Sequence, residues 1–263
     1  FIPNDMQKRH TDRQQYFYEL AHTSEKYFIP YIKKFLDMSH SLSILEIGCG
    51  DGGNLLPFAK HGHEVVGIDI SSNRIRDAVS FFEKENAEAK FICADILKFD
   101  DYKNHFDLVI CHDVIEHIGN KQEMLNRIEY FMKSTGILFI AFPAWQMPFG
   151  GHQQICHSSW VSKLPYIHLL PNALYKMLLS CGGEKEDCIN ELIEIKSTKT
   201  TIEHFEKLIS RTSLVIIERC LYLINPHYEI KFGLKPRILS RGLSNVPYLR
   251  DFFSTSCFYI LQK

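Results

Sequence analysis

The run Ile44-Leu45-Glu46-Ile47-Gly48-Cys49-Gly50-Asp51-Gly52-Gly53 puts four glycines into six positions directly after an apolar stretch. Glycines there let the backbone turn tightly and let a ligand touch the main chain, and a helix beginning just after them offers its positive N-terminus. Without a ligand such a loop is costly in chain entropy, so a cofactor is expected to sit against it. Gly48, Gly50 and Gly53 also satisfy the G-x-G-x-x-G spacing of dinucleotide sites, and the loop alone does not choose between cofactors. Asp69, at the end of Val65-Val66-Gly67-Ile68-Asp69-Ile70, stands where a carboxylate accepts both hydroxyls of a ribose. Asp95, in Phe91-Ile92-Cys93-Ala94-Asp95-Ile96, stands where an adenine amino group is read, or else caps the turn that follows.

A second group is built for proton chemistry. Asp113-Val114-Ile115-Glu116-His117 is expected to begin a helix, and offsets of three and four would bring its polar groups onto one face. Three readings fit the spacing. Asp113 as N-cap with Glu116 at the third helical position makes a capping box; His117 serves as a general base; or two carboxylates and an imidazole hold a divalent ion. Spacing does not separate them, and no residue is assigned to a metal. Farther on, Gly150-Gly151-His152-Gln153-Gln154-Ile155-Cys156-His157 and then Trp160, Tyr166 and His168 form a polar yet aromatic stretch, in which His152 and Trp160 are expected to line an acceptor pocket. The gap between His152 and Cys156, without a second paired cysteine, is weak as a zinc motif.

These groups need a scaffold. Compact β-branched runs at Ser43–Ile47, Glu64–Ile70, Lys90–Ala94, Phe106–Cys111 and Ile137–Phe142 read as buried strands. Helix-length segments lie between them at Asn54–His61, Ser72–Glu85, with Ser71 or Ser72 as N-cap, and Lys121–Lys133. Alternation of this kind demands right-handed crossovers and a parallel sheet covered on both faces, a doubly wound α/β fold. Ahead of it, apolar residues from Phe17 to Phe35 at helical spacing predict two short helices, the second opened by Pro30. After Pro143 the rhythm fails until a helix at Ile202–Arg211 and strands at Leu214–Leu223 and Cys257–Leu261. The interruption predicts helices of its own, one capped by Asn172 over Leu174–Cys181 and one after Asp187 over Ile189–Ile195. The expected organisation is a single domain over 1–263: a helical cap (1–41), a cofactor-binding core (42–143), a substrate-binding insertion (144–200) and the rest of the sheet (201–263) with a long excursion at 225–254.

Composition narrows the partners. With 45% hydrophobic residues in 263 the chain buries a sizeable core, which excludes disorder. A formal net charge of −1 leaves no global field for nucleic acid, and no apolar run approaches the roughly 20 residues of a membrane span. Eight scattered cysteines with no C-x-x-C read as reduced and cytoplasmic. Phe1 is not an initiator methionine and no leader pattern follows, so any targeting piece is expected to be absent or already removed. The acids of Glu184–Glu194 read as a solvated helix face, and the excess of cations in the second excursion as ordinary surface charge or a site for an anionic acceptor.

Taken together, the E-x-G-x-G loop, the strand-end Asp69, Ala94-Asp95-Ile96, and Phe106-Asp107-Leu108-Val109 leading to Glu116-His117 resemble the class I S-adenosylmethionine-dependent methyltransferases, with motifs covering about residues 42–143. The resemblance implies a Rossmann-like, mostly parallel seven-stranded sheet with its last strand antiparallel, plus helical insertions. It implies S-adenosylmethionine as cofactor: Glu46, Gly48, Cys49 and Gly50 at the methionine part, Asp69 at the ribose, Ile70 at an adenine face, Asp95 and Ile96 at the adenine edge, His112 beside the sulfonium, and the helices of Thr11–Met38 closing over it. The acid-x-x-Glu-His sequence is similar to that of the ubiquinone-biosynthesis O-methyltransferases, some of which hold a divalent metal with it. The expected activity is methyl transfer to a small molecule at oxygen, with Asp113, Glu116 and His117 as candidate catalytic residues and without nucleic acid or a membrane span. A noncatalytic S-adenosylmethionine-binding protein remains the alternative, and an NAD-dependent oxidoreductase survives only through the glycine fingerprint.

Overall fold

The structure, a computed structural model, describes residues 12–263. The expected start of the cap at Thr11 and the reading of Phe1 lie outside the described residues. Helix α1 (Arg13–Thr23) is capped by Asp12, whose side chain accepts from the Gln15 amide at 3.0 Å. A π-helical turn (Ser24–Phe28) and then α2 (Ile29–Ile32) follow without a break. Pro30 does stand in the first turn of α2, but the two expected helices are one continuous rod. The proline ring has no N–H and crowds the carbonyl one turn back, and the wider π turn directly before it relieves that conflict.

The alternation appears as read, with edges moved by a residue or so. It runs β1 (Ser43–Ile47), α3 (Leu56–Lys60), β2 (Glu64–Asp69), α4 (Ser72–Lys84), β3 (Lys90–Cys93), β4 (Phe106–His112), α5 (Lys121–Phe131) and β5 (Met132–Phe142). Ser71 caps α4 through the Arg74 amide. At the α5–β5 junction the expectation fails: the helix stops at Phe131 and the strand begins at once. Met132 already pairs with Phe106, the register then shifts, and Ile137 pairs with Leu108. Gly136 permits the bulge, since a Cβ there would lie 2.8 Å from the Phe106 carbonyl oxygen.

The remaining elements are α6 (Asn172–Cys181), α7 (Glu186–Ser197), α8 (Ile202–Ile209), β6 (Val215–Ile224), α9 (His227–Phe232), β7 (Arg237–Ile238), α10 (Arg241–Ser244) and β8 (Ser256–Gln262). Asn172 is not the cap of α6; Pro171 holds that position with no side-chain bond, and its carbonyl accepts the Tyr175 amide. The strands form one sheet in the order β3-β2-β1-β4-β5-β8-β6-β7, parallel from β3 to β5, with β8 inserted antiparallel between β5 and β6. These are the seven expected strands plus a two-residue eighth at the edge.

Strand periodicity sorts the core into two layers. Leu45, Ile47, Val109, Cys111, Leu138 and Ile140 point toward α5 and α8, packing on Met124, Ile128 and Phe205. Their neighbours Ile44, Leu108, Ile110, Phe139 and Ala141 point the other way, onto Phe17, Phe28 and Ile32 of the N-terminal rod and Phe81 and Phe82 of α4. A third, separate cluster lies within the insertion: Cys156, Val161, Ile167, Tyr175, Leu179, Ile189 and Leu192. Among the described residues no helix is long and apolar enough to cross a membrane.

Candidate active site

The carboxyl ends of β1, β2 and β4 open into a cavity of about 1240 Å³. That exceeds the roughly 300–1,000 Å³ of a typical single-ligand site, so it has room for two ligands side by side. At one end is the glycine loop. Gly48, Gly50 and Gly52 all take positive φ (67°, 53° and 82°), the left-handed region that favours glycine. Gly53 serves a different purpose, letting the backbone of α1 close in: a Cβ there would lie 2.5 Å from the Phe17 carbonyl oxygen. The N-terminal rod therefore covers the loop, and its Tyr16 and Leu20 line the cavity.

Of the residues assigned to a cofactor, Gly48, Cys49, Gly50, Asp69, Ile70, Asp95, Ile96 and His112 all line this cavity. Asp69 also holds the loop: Oδ2 accepts from the Gly50 amide at 2.9 Å and Oδ1 from the Ser71 amide at 2.8 Å. Asp95 performs the bland role foreseen for it, accepting from the Leu97 amide at 3.0 Å, while still facing the cavity. Ile70 is 75% exposed, an apolar platform that none of the described residues covers. Glu46 does not reach the surface of the cavity. It lies one layer beneath, where Oε1 accepts from Asn54 Nδ2 at 2.7 Å and Asn54 lines the wall. Oε2 of Glu46 and Oδ1 of Asn54 are buried without a hydrogen-bond partner among the described residues. Burial, reinforced by the charge of Asp69, pushes the Glu46 carboxyl up to about 8. The open oxygen of Asn54, backed by a Glu46 carboxyl that ionises once a cation is near, suits an ammonium group beside the glycine loop, so these residues fit the methionine end of S-adenosylmethionine.

At the far end the expected helix at Asp113 is absent. Asp113 has φ 53°, its amide donates to the Ala141 carbonyl at 2.9 Å, and only a single 3-10 turn, Ile115–His117, follows. The helix proper starts at Lys121, capped by Asn120. The capping box is thereby overturned: the left-handed Asp113 backbone re-aims the chain, and its side chain lies 3.5 Å from His112 Nε2. In place of the expected trio, the structure brings together Glu116, His117 and His152, whose ligand atoms lie within 4.8 Å of one another. The rings of His117 and His152 meet edge to face at 5.0 Å, and both line the cavity. Glu116 sits behind them, 6% exposed, with neither carboxylate oxygen hydrogen-bonded among the described residues. Its burial, and then the charge of Asp113, raise its carboxyl well above the usual range. The His117 ring is lowered, chiefly by the desolvating walls around it, which keeps it neutral and able to accept a proton at pH 7.

Two sequence expectations in the insertion are corrected. Trp160 is 47% exposed and does not line the cavity, because the 3-10 turn Val161–Lys163 directs the chain inward at Val161 instead. Glu184 does not belong to a solvated face: its side chain is buried, and its oxygens accept from the Ser158 and His157 amides at 2.7 and 3.1 Å. Sequence reasoning also missed Tyr16 and Arg74, which line the cavity at its glycine-loop end. Tyr16 falls immediately before the apolar stripe and Arg74 within an ordinary polar helix face, so neither position carries a signal of its own.

A family model described as a methyltransferase domain matches residues 39–182, just over half the chain. Ubiquinone biosynthesis O-methyltransferase of Rhodopseudomonas palustris (strain BisB5) is 34% identical over 108 residues, 41% of this chain and 42% of that one. The protein of the same name from Rickettsia prowazekii (strain Madrid E) is 30% identical over 124 residues, 47% and 49% of the two chains. The chain thus spans less than half the length of these curated relatives. Among solved structures, a putative sarcosine dimethylglycine methyltransferase from Galdieria sulphuraria superposes with a TM-score of 0.61 at 12% identity, covering 92% of this chain and 85% of that one. A plantazolicin methyltransferase in complex with SAH gives 0.53 at 19% identity, over 97% and 86%. At those identities the likeness shows the shared fold.

Proposed function

The chain belongs to the class I S-adenosylmethionine-dependent methyltransferase family, and from that membership we propose that it transfers a methyl group to a hydroxyl oxygen of a small molecule. The observation that carries the proposal is the single cavity with the glycine loop and Asp69 at one end and the neutral His117 beside His152 at the other. S-adenosylmethionine supplies the methyl group on a sulfonium and leaves as S-adenosylhomocysteine. Asp69 accepts from the ribose hydroxyls, Ile70 and Ile96 flank the adenine, and Asp95 takes its amino edge. Gly48, Cys49 and Gly50 lie along the methionine part, with Glu46 acting through Asn54. His112 stands beside the sulfonium.

Displacement at a sulfonium carbon needs an aligned and desolvated nucleophile more than it needs an acid. A hydroxyl must also lose its proton as the new bond forms. His117 takes that proton at its unprotonated ring nitrogen, and His152, carried by the insertion, orients the acceptor. The curated relatives are named for O-methylation in ubiquinone biosynthesis, which favours a phenol-like hydroxyl as the acceptor class. A second reading is favoured by the unsatisfied oxygens of Glu116: with His117 and His152 they would hold a divalent cation, whose chemistry there would be to acidify the acceptor hydroxyl.

The test is incubation of the protein with metabolite pools and S-adenosylmethionine bearing a deuterated methyl group. An O-linked labelled product is expected. Label on nitrogen or carbon would overturn the oxygen assignment, and tight cofactor binding with no labelled acceptor in any pool would point to the noncatalytic alternative.

A further inference from the structure

The third apolar cluster, inside the insertion, holds polar groups that methyl transfer does not use. Cys156 follows the 3-10 turn Gln153–Ile155, Glu184 precedes α7 by two residues, and Cys188 lies in the first turn of α7. Their two Sγ atoms and one carboxylate oxygen lie within 4.8 Å of one another, with Cys156 and Glu184 buried and Cys188 half-buried. Around them are Val161, Tyr175, Leu179 and Ile189, and within this apolar shell the Cys188 thiol hydrogen-bonds to Glu184 and to Cys156, so the three donors already face one another. His157 Nδ1 lies 3.4 Å from Glu184 Oε2 on the exposed side, 75% open to solvent. We propose that Cys156, Glu184 and Cys188, with His157 as the fourth donor, form a structural site for a thiophilic divalent cation, Zn²⁺ by its chemistry, that staples the loop carrying His152 to α7.

The donor set selects the metal. Two thiolates and one carboxylate already gathered within 4.8 Å match three positions of a tetrahedral Zn²⁺ site, and His157, which lies outside that close group but 3.4 Å from Glu184, would turn inward to supply the fourth. Zn²⁺ bonds of roughly 2.3 Å to sulfur and 2.0–2.2 Å to oxygen and nitrogen put neighbouring donors about 3.3–3.8 Å apart. Closing the present spacing by about 1 Å is within reach of side-chain rotation, because each ligand sits on a turn or at the start of a helix. Glu184 is already aimed by the amides of His157 and Ser158, the kind of outer partner that orients metal ligands. On binding, the two thiols release their protons to solvent and the metal takes their place. Cys188 and His157 also face the main cavity, so the staple would fix its acceptor-side wall while leaving the cofactor end untouched.

Full-length protein, reduced and stripped with a chelator, is titrated with Co²⁺ and Zn²⁺ alone. One Co²⁺ per chain with tetrahedral d–d bands and a sulfur-to-cobalt charge-transfer band is expected, displaced by Zn²⁺. Cys188→Ser and Glu184→Gln should each weaken Zn²⁺ binding by about 100-fold or more, with S-adenosylmethionine affinity unchanged. Glu116→Gln, which alters the other candidate cluster, should leave the charge-transfer band intact. Absence of that band from wild-type protein overturns the proposal whether or not the variants fold. So does a Cys156–Cys188 disulfide found by mass spectrometry in protein purified without reductant, combined with no metal uptake after reduction.

Discussion

Glu46 is 1% exposed, with one oxygen held by Asn54 and the other open, and burial raises its carboxyl to about 8. It is therefore uncharged at neutral pH in the ligand-free protein. An ammonium group seated against Asn54 would favour the carboxylate and return it toward its ordinary value near 4.5. Binding then releases a proton, and its strength depends on pH. Between pH 7.5 and 5.5 the added cost of ionising Glu46 is about 2.5 kcal/mol at ~1.4 kcal/mol per pH unit below about 8, so the Kd for S-adenosylmethionine should rise roughly 70-fold across that window. The α-ammonium of the cofactor, with an ordinary value of about 7.7–8.0, is mostly charged at pH 7.5 and fully so below about pH 6.5, so it changes the Kd by less than about twofold and leaves the slope to Glu46. Calorimetry at pH 6.5 in two buffers of different ionisation enthalpy should detect close to one proton released per cofactor bound. Glu46→Gln, which keeps the hydrogen bond with Asn54 but cannot titrate, should flatten the profile. The sign for stability follows from the same shift: because the folded value is raised, ligand-free protein holds this contribution at low pH and loses it as pH rises from about 4.5 through about 8. A wild-type Kd that does not change with pH, or a Glu46→Gln protein that keeps the wild-type slope, would refute the assignment.

Asp69→Ala should weaken S-adenosylmethionine by tenfold or more, about 1.5–3 kcal/mol, since it removes a charged acceptor and frees the Gly50 amide; unchanged calorimetric affinity would take Asp69 out of the site. His117→Gln should lower turnover by roughly 10²–10⁴-fold while cofactor affinity and thermal midpoint hold, and near-normal turnover with an identified acceptor would end the general-base role. His168 is fully buried, donates from Nε2 to the Trp145 carbonyl at 2.8 Å, has no hydrogen-bond partner at Nδ1 among the described residues, and is lowered to about 4 by burial. Its contribution to stability is thus present above about 6.5 and lost as pH falls toward 4, about 2 kcal/mol by pH 5. Protection factors for amide exchange in residues 144–200, taken relative to the intrinsic rate at each pH, should fall on acidification in wild type, and an equal response in His168→Gln would assign the effect elsewhere.

The strands β1 to β4 were legible because each is a short apolar run followed within two residues by a glycine or an acid at the end where the cavity opens, and Asp69 and Asp95 inherit their positions from that pattern. The loop 113–120 was not legible. Asp-x-x-Glu satisfies a capping box in sequence, but the pattern assumes an extended N-cap, and nothing in the letters announces a left-handed Asp113. The α5–β5 junction misled for a similar reason, since Lys133 and Ser134 carry no turn signal and the bulge depends on the distant Phe106 carbonyl. Glu184 looked solvated because its neighbours are acidic, whereas its partners are two amides more than 25 residues earlier. What a periodic pattern encodes was recovered; what a tertiary contact imposes was not.

The insertion keeps an apolar cluster of its own, separate from the two layers that grip the sheet. Substitutions in this segment, the acceptor wall in the function proposed above, therefore draw on a local reserve of folding energy, and the glycine loop and strand ends are insulated from their cost. A lineage built this way can sample new acceptors by mutation, or exchange the whole 144–200 segment, while the half of the protein that handles the methyl donor stays under unchanged selection. The architecture separates what must be preserved from what is free to diverge.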